Sequence, residues 1–239
     1  MQLKIPYFSQ ELNSEDCGVA CLLMVLNYYF PDSFDYHKVK ERMSFMSTGL
    51  TSFSLANFLL TNGLKVEIVY CHPFLFNIAN KNQKFSDKEL MSHITTASLR
   101  KMPPNWTNSL LELVEFIKLG GKLTIDYPKK HHIQKALSQN LPIISLLTTG
   151  VLTSRNFEDF ATGKGGFFNS HFNVITGLDG ETITVNDPEV CETDLAKARK
   201  NGGYELGGVQ KYNLEDYLYG IYTNTGTDID NGAMIIASK

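Results

Sequence analysis

Hydrophobic positions crowd first into residues 17–30, CGVACLLMVLNYYF, where almost every face of a helix would be apolar. A helix apolar all round is a buried one, and Pro31 marks its stop. Asn13 or Ser14 is placed to cap its start, since either offers a side-chain oxygen to the first free amides. Residues 51–62, TSFSLANFLLTN, predict an amphipathic helix ending at Gly63, and VEIVY at 66–70 predicts a short strand. From Cys71 to Pro104 the chain is polar and irregular, broken by Pro103-Pro104, and reads as an insertion. Helical pattern returns at 108–118, followed by a strand at 122–126, a helix at 131–140 and a buried strand at 142–148. A glycine-rich loop from Gly150 to Ser170, with GKGG at 163–166, then leads to the strongest β signal. There HFNVITGL at 171–178 and ETITVND at 181–187 flank Asp179-Gly180, a β-hairpin by composition. Further strands are expected near 209–212 and at 232–238. A buried helix first, then helices, then mostly strands predicts an α+β fold.

The 239 residues, 43% of them hydrophobic, suffice for one packed domain spanning 1–239, with an insertion at 71–106 and a mobile loop at 150–170. The net charge of −3 offers no basic face for nucleic acid. The N-terminal MQLKIPYFSQ lacks a signal-peptide apolar core, and no segment approaches the ~20 apolar residues of a membrane span. The expected location is therefore cytoplasmic, or outside the cell by a route that needs no signal peptide. Four cysteines without CxxC spacing, and histidines without an HExxH setting, predict free thiols and no structural zinc site. No cofactor is implied.

Chemistry concentrates at a few residues. Cys17 lies at a helix start, where the dipole and free amides favour the nucleophilic thiolate. Glu15 and Asp16 oppose it, because adjacent carboxylates disfavour a second negative charge, so an imidazolium partner is required. The plain alternative is a small buried cysteine in a core helix. Gly18 tips the balance toward function: it costs the helix ~1 kcal/mol against alanine and leaves room for a substrate backbone. Cys21, one turn on, reads as core. Cys71 and Cys191 have no motif. His131 and His132, beside Lys129 and Lys130, read as a solvated basic turn, and His37, His72 and His93 lack a partner pattern. His171 is singled out by Asp187 at the far end of the same hairpin. A three-residue loop, Leu178 to Gly180 with Gly180 at positive φ, would set 171 against 187 on one face, where the aspartate can orient the imidazole. A two-residue turn would bring Asn186 to the histidine's face instead. Asn-Asp-Pro at 186–188 is also an ordinary strand stop. GKGG lacks the flanking strand and Lys-Ser/Thr of a phosphate loop. Phe167, Phe168 and Phe172 read as core before pocket.

IPYFSQELNSEDCGVACLLMVLNYY and HFNVITGLDGETITVNDPE together resemble the two blocks of the double-glycine (bacteriocin) leader peptidase-like family of papain-like cysteine peptidases. The first block runs from a short strand through a glutamine to Asp-Cys-Gly-x-Ala-Cys-Leu. The second opens on histidine and ends on Asn-Asp-Pro. The resemblance implies a papain-like fold, a central buried helix on an antiparallel sheet. It implies Cys17 as nucleophile, His171 as base, Asp187 as orienting acid and Gln10 as an oxyanion donor beside the Cys17 amide. Gln10 stands seven positions before Cys17, one more than is usual there, and no transporter domain follows, which argues against an export-coupled leader as substrate. The middle of the chain is also similar to guanylyl-cyclase-domain proteins of the same fold, but it has no paired metal-binding acids or phosphate cradle to support cyclase chemistry. The expected function is a cysteine hydrolase acting on an amide, peptide or isopeptide bond of a peptide or protein. The alternatives are an acyltransferase or deamidase with the same triad, and a non-catalytic binding module.

Overall fold

The computed structural model describes residues 1–11, 14–43, 50–72, 74–76, 80, 83–98, 104–148, 152, 170–189, 207–223, 229–230 and 232–239. Among them, helices α1 (Cys17–Tyr29), α2 (Tyr36–Arg42), α3 (Ser52–Thr61), α4 (Asp87–Ser98), α5 (Pro104–Lys118), α6 (Lys130–Ser138) and α7 (Leu214–Tyr222) accompany strands β1 (Lys65–Tyr70), β2 (Lys122–Ile125), β3 (Ile143–Thr148), β4 (Ser170–Asp179), β5 (Thr182–Asp187), β6 (Gly208–Asn213) and β7 (Met234–Ser238). The strands form one sheet in the order β2-β1-β7-β3-β4-β5-β6. Only β1 and β2 run parallel; every other neighbouring pair is antiparallel. The fold is α+β, as the pattern predicts.

Helix α1 is the spine of the core. Val19 to Leu26 are fully buried, so the apolar wheel has neighbours on all sides. Its one polar intruder, Asn27, is satisfied locally: Nδ2 donates to the Leu23 and Phe34 carbonyls at 3.2 Å each, and Oδ1 accepts from the Phe34 amide at 3.3 Å. Ser14 does not cap the helix, and Asn13 lies outside the described residues. The N-cap is Asp16, with no side-chain cap, because its carboxylate is taken by Lys40 at 2.5 Å and Tyr36 at 3.0 Å.

Three helices exceed the expectation. Residues 71–106 are not uniformly irregular. Ser86 and Glu89 form a reciprocal cap, with the Ser86 amide to Glu89 Oε2 at 2.8 Å and the Glu89 amide to Ser86 Oγ at 3.3 Å. From there α4 buries a narrow stripe, Leu90, Ile94 and Ala97. Pro104 does not break structure but opens α5, in a position where its missing N–H costs nothing. Asn213 starts α7 by accepting from the Glu215 and Asp216 amides, and α2 begins at Asp35 in the same way. The glycine-rich segment 150–170 lies outside the described residues apart from Leu152 and Ser170.

The hairpin corrects the expected loop. Asp179 pairs with Thr182, so the turn is two residues, Gly180–Glu181, with Gly180 at φ +58°. Positive φ at the first central position alone is the type II′ pattern. Continued regularly, this register would set Asp187 opposite Val174, on the wrong face for His171. It is not continued. The pairing shifts between Ile175 and Gly177, leaving Thr176 as an extra residue, and beyond it Val174 pairs with Asn186. The β-bulge therefore restores by one residue what the shorter turn removes. Asp187 comes opposite Asn173 and shares the face of His171.

Candidate active site

The sheet and α1 converge on Cys17. Cys17 is half-buried at the first position of α1, where no side chain caps the turn. The amides there remain available to a developing oxyanion. His171 and Asp187 are both buried, 5% and 0% exposed. The His171 Nε2 lies 2.7 Å from Asp187 Oδ1, and the Cys17 side chain is near enough to the same ring to favour its charged form. With Nε2 engaged by Asp187, Nδ1 is the nitrogen left for sulfur. The three residues selected by motif are thus brought together, with His171 between Cys17 and Asp187. Asn186 is on the opposite face, where its Nδ2 donates to the Ile5 carbonyl at 3.3 Å.

Burial alone pushes the His171 imidazole pKa down. The Asp187 charge and hydrogen bond, with the Cys17 contact, outweigh it and hold the ring well above its ordinary value of 6.5. The sign of the linkage follows. Stabilisation from this pair is complete below about pH 6.5 and is lost as pH rises through the folded-state value. Asp16, whose charge opposes a thiolate next door, is paired with Lys40, and the hydrogen bonds to Asp16 and then Glu11 push the Lys40 ammonium pKa up.

Gln10 is buried beside the site. Its amide N–H donates to the Pro188 carbonyl at 2.9 Å. Its Nε2 donates to the Ser14 carbonyl at 2.9 Å and, more loosely, to Glu189 Oε1 at 3.5 Å, while Oε1 is buried without a partner. Both side-chain donors are thus directed at protein acceptors. Gly18 has a different use from the one expected: a Cβ there would meet Leu50 and Leu55 side-chain carbons at 3.1 Å, so the glycine admits α3 rather than substrate. Cys21 is fully buried, and burial pushes its thiol pKa up. Cys17, Cys21 and Cys71 are free thiols; Cys191 lies outside the described residues.

Some supporting residues escaped the motif reading. The Glu189 amide donates to Asp187 Oδ1 at 3.0 Å, the two-residue reach of an Asx turn. The Tyr7 hydroxyl donates to the Asp187 carbonyl and accepts from the Gly208 amide, both at 3.2 Å. The signal for Glu189 was present in Asp-Pro-Glu, since an aspartate commonly binds the amide two residues on. His132 is not solvated: its side chain is 11% exposed, and burial first, then His131, pushes its pKa down to about 4. Asp126, His131 and His132 hold metal-ligand atoms within 4.8 Å of one another. The Lys129 ammonium already takes both Asp126 oxygens, at 2.6 and 2.9 Å.

Residues 2–206 match the model of the Peptidase C39 like family, and the chain belongs to that family. Among solved structures it is similar to a double glycine motif protease from an AMS/PCAT transporter in complex with the leader peptide. The identity is 14% and the TM-score 0.46, over 100% of this chain and 94% of that one. It is also similar to the peptidase domain of Streptococcus ComA, a bifunctional ABC transporter involved in quorum sensing. There the identity is 12% and the TM-score 0.44, over 98% of each chain. No curated protein matches the sequence. Among the described residues, no helix is long and apolar enough to cross a membrane.

Proposed function

We propose that the protein is a cysteine hydrolase that cleaves an amide, peptide or isopeptide bond in a peptide or protein through a thioester on Cys17. The observation that carries this reading is the buried His171–Asp187 hydrogen bond, with Cys17 beside the same ring at the start of α1. His171, kept protonated, stabilises the Cys17 thiolate. The sulfur attacks the carbonyl carbon and the oxyanion forms against the first amides of α1. His171 gives its proton to the leaving amine as the carbon–nitrogen bond breaks. Water, deprotonated by the now neutral imidazole, then cleaves the thioester and returns the thiol. Asp187 holds the ring in the tautomer this needs. In this reading the chain is one catalytic domain, and the insertion at 71–106 bears on substrate choice.

Iodoacetamide mapping tests the nucleophile. A thiol with a base beside it is a better nucleophile than one without. Cys17 is expected to label at least about tenfold faster than Cys71, with buried Cys21 unreactive until the protein unfolds. Faster labelling of Cys71 or Cys191 would remove Cys17 from its role.

Gln10 acts in this reading as a second oxyanion donor, turning Nε2 from Glu189 toward the bound carbonyl. Gln10→Ala is expected to lower kcat about 10²–10³-fold with little change in KM. Unchanged kcat on a cleaved peptide would exclude it from the site.

A further inference from the structure

A polar row crosses the sheet beneath the site. Ser145 on β3 pairs with Asn173 on β4. The register Val174 to Asn186 sets Asn173 opposite Asp187 on β5. Cross-strand partners project to the same face. All three side chains are buried to within 1% of complete, as is Tyr217, which reaches the row from α7. Ser145 Oγ donates to Asn173 Oδ1 at 2.8 Å, the Tyr217 hydroxyl donates to the same oxygen, and the two hydroxyls touch each other.

Among the described residues, two buried polar atoms here have no partner: Asn173 Nδ2, a donor, and Asp187 Oδ2, an acceptor. They belong to residues facing each other on adjacent strands. The amide orientation is set from its oxygen end. Two hydroxyls converge on Oδ1, which the opposite flip would replace by an amide nitrogen with no lone pair to accept them. Burial first, and the Asp187 charge among the further causes, push the Tyr217 hydroxyl pKa up, so it stays a proton donor at any physiological pH.

We propose that Asn173 is a positioning residue for Asp187, its Nδ2 reaching Asp187 Oδ2 through one bridging water, with Ser145 and Tyr217 fixing the amide. The proposal rests on the Cys17–His171–Asp187 reading. Asp187 Oδ1 is already held by His171 and the Glu189 amide. Engaging Oδ2 stops the carboxylate from rotating away from the imidazole. Asn173 acts on the thiol only through this relay.

The test is an NMR titration of the His171 ring in the full-length protein, alongside the rate of Cys17 alkylation at pH 6. Asp187→Asn is the reference. It should lower the His171 pKa and slow alkylation; if it does neither, the triad reading itself fails. Given that response, Asn173→Leu should lower the His171 pKa by about 1 pH unit, tenfold in the proton equilibrium, and slow alkylation about tenfold. In the Asp187→Asn background it should shift neither further, since its partner charge is gone. A folded Asn173→Leu protein with an unchanged His171 titration overturns the proposal while leaving the triad intact. If Asn173→Leu does not fold, Tyr217→Phe with Ser145→Ala releases the amide at a loss of only two oxygens. It should shift the titration in the same direction, and no shift there overturns the proposal equally.

Discussion

Cys17→Ala and His171→Ala are each expected to lose about 10⁴–10⁶ in kcat on a peptide the wild-type protein cleaves, and the double variant to lose no more than either alone. In the proposed mechanism the magnitude follows from how the residues divide the work. Without the sulfur no thioester forms. Without the imidazole the thiol loses the charge that holds it ionised, and the leaving amine loses its proton donor. Residues that act as one unit fail as one unit, so the losses do not add. The residual rate comes from binding and from the first amides of α1. The measurement is mass-spectrometric timing of cleavage on a peptide found by digesting a proteome-derived library. Retention of activity within tenfold in Cys17→Ala would end the hydrolase reading, and additive losses would mean that the two residues act separately.

The second large effect concerns the helix that starts at Cys17. Leu22→Ala is expected to destabilise the protein by about 2–5 kcal/mol, because it removes a fully buried side chain from a helix packed on every face. The backbone has little freedom to close the gap: α1 is clasped by the sheet through β4 and by α3, and Gly18 already brings Leu50 and Leu55 as near as they can come. Against a total stability of about 5–15 kcal/mol, this is a substantial fraction. Urea unfolding should show a lower midpoint with an unchanged slope. A loss under about 1 kcal/mol would show that α1 is less embedded than its burial implies.

What could be read from the sequence was whatever one residue type in one pattern determines. The all-apolar run after Cys17 admitted only a buried helix, and the β-branched run after His171 only a strand. The pairing of His171 with Asp187 was legible from the two ends of one hairpin, but its route was not. A two-residue turn with a bulge and a three-residue loop without one give the same parity, and nothing in Val-Ile-Thr-Gly-Leu announces that Thr176 is the surplus residue. The bulge depends on tertiary contact. The Leu3 amide donates to the Thr176 carbonyl at 2.6 Å, and Gln2 bridges to Gly177. Helix α4 was missed because its apolar stripe is narrow in a polar background, although its Ser86-to-Glu89 cap was readable. Asn173 was readable too, two residues from His171 on the same face of one strand. It was passed over because its meaning comes from Ser145 and Tyr217, which only the folded sheet assembles.

The surplus residue at Thr176 also sets a rule for how this hairpin can change length. Adding or removing residues at the tip, between Asp179 and Thr182, leaves the paired strands and every facing side chain where they are. Within β5 the same change is not neutral. One residue gained between Thr182 and Asp187 brings Asn186 to the place of Asp187, and one lost brings Pro188 there; either change turns the carboxylate to the opposite face, away from the imidazole. Removing Thr176 itself, by contrast, closes the bulge and makes the pairs Ile175–Val185 and Gly177–Thr184 adjacent, with Asp187 still facing His171. The hairpin is thus open to length variation at its tip and at one point along β4, and closed to any odd change along β5.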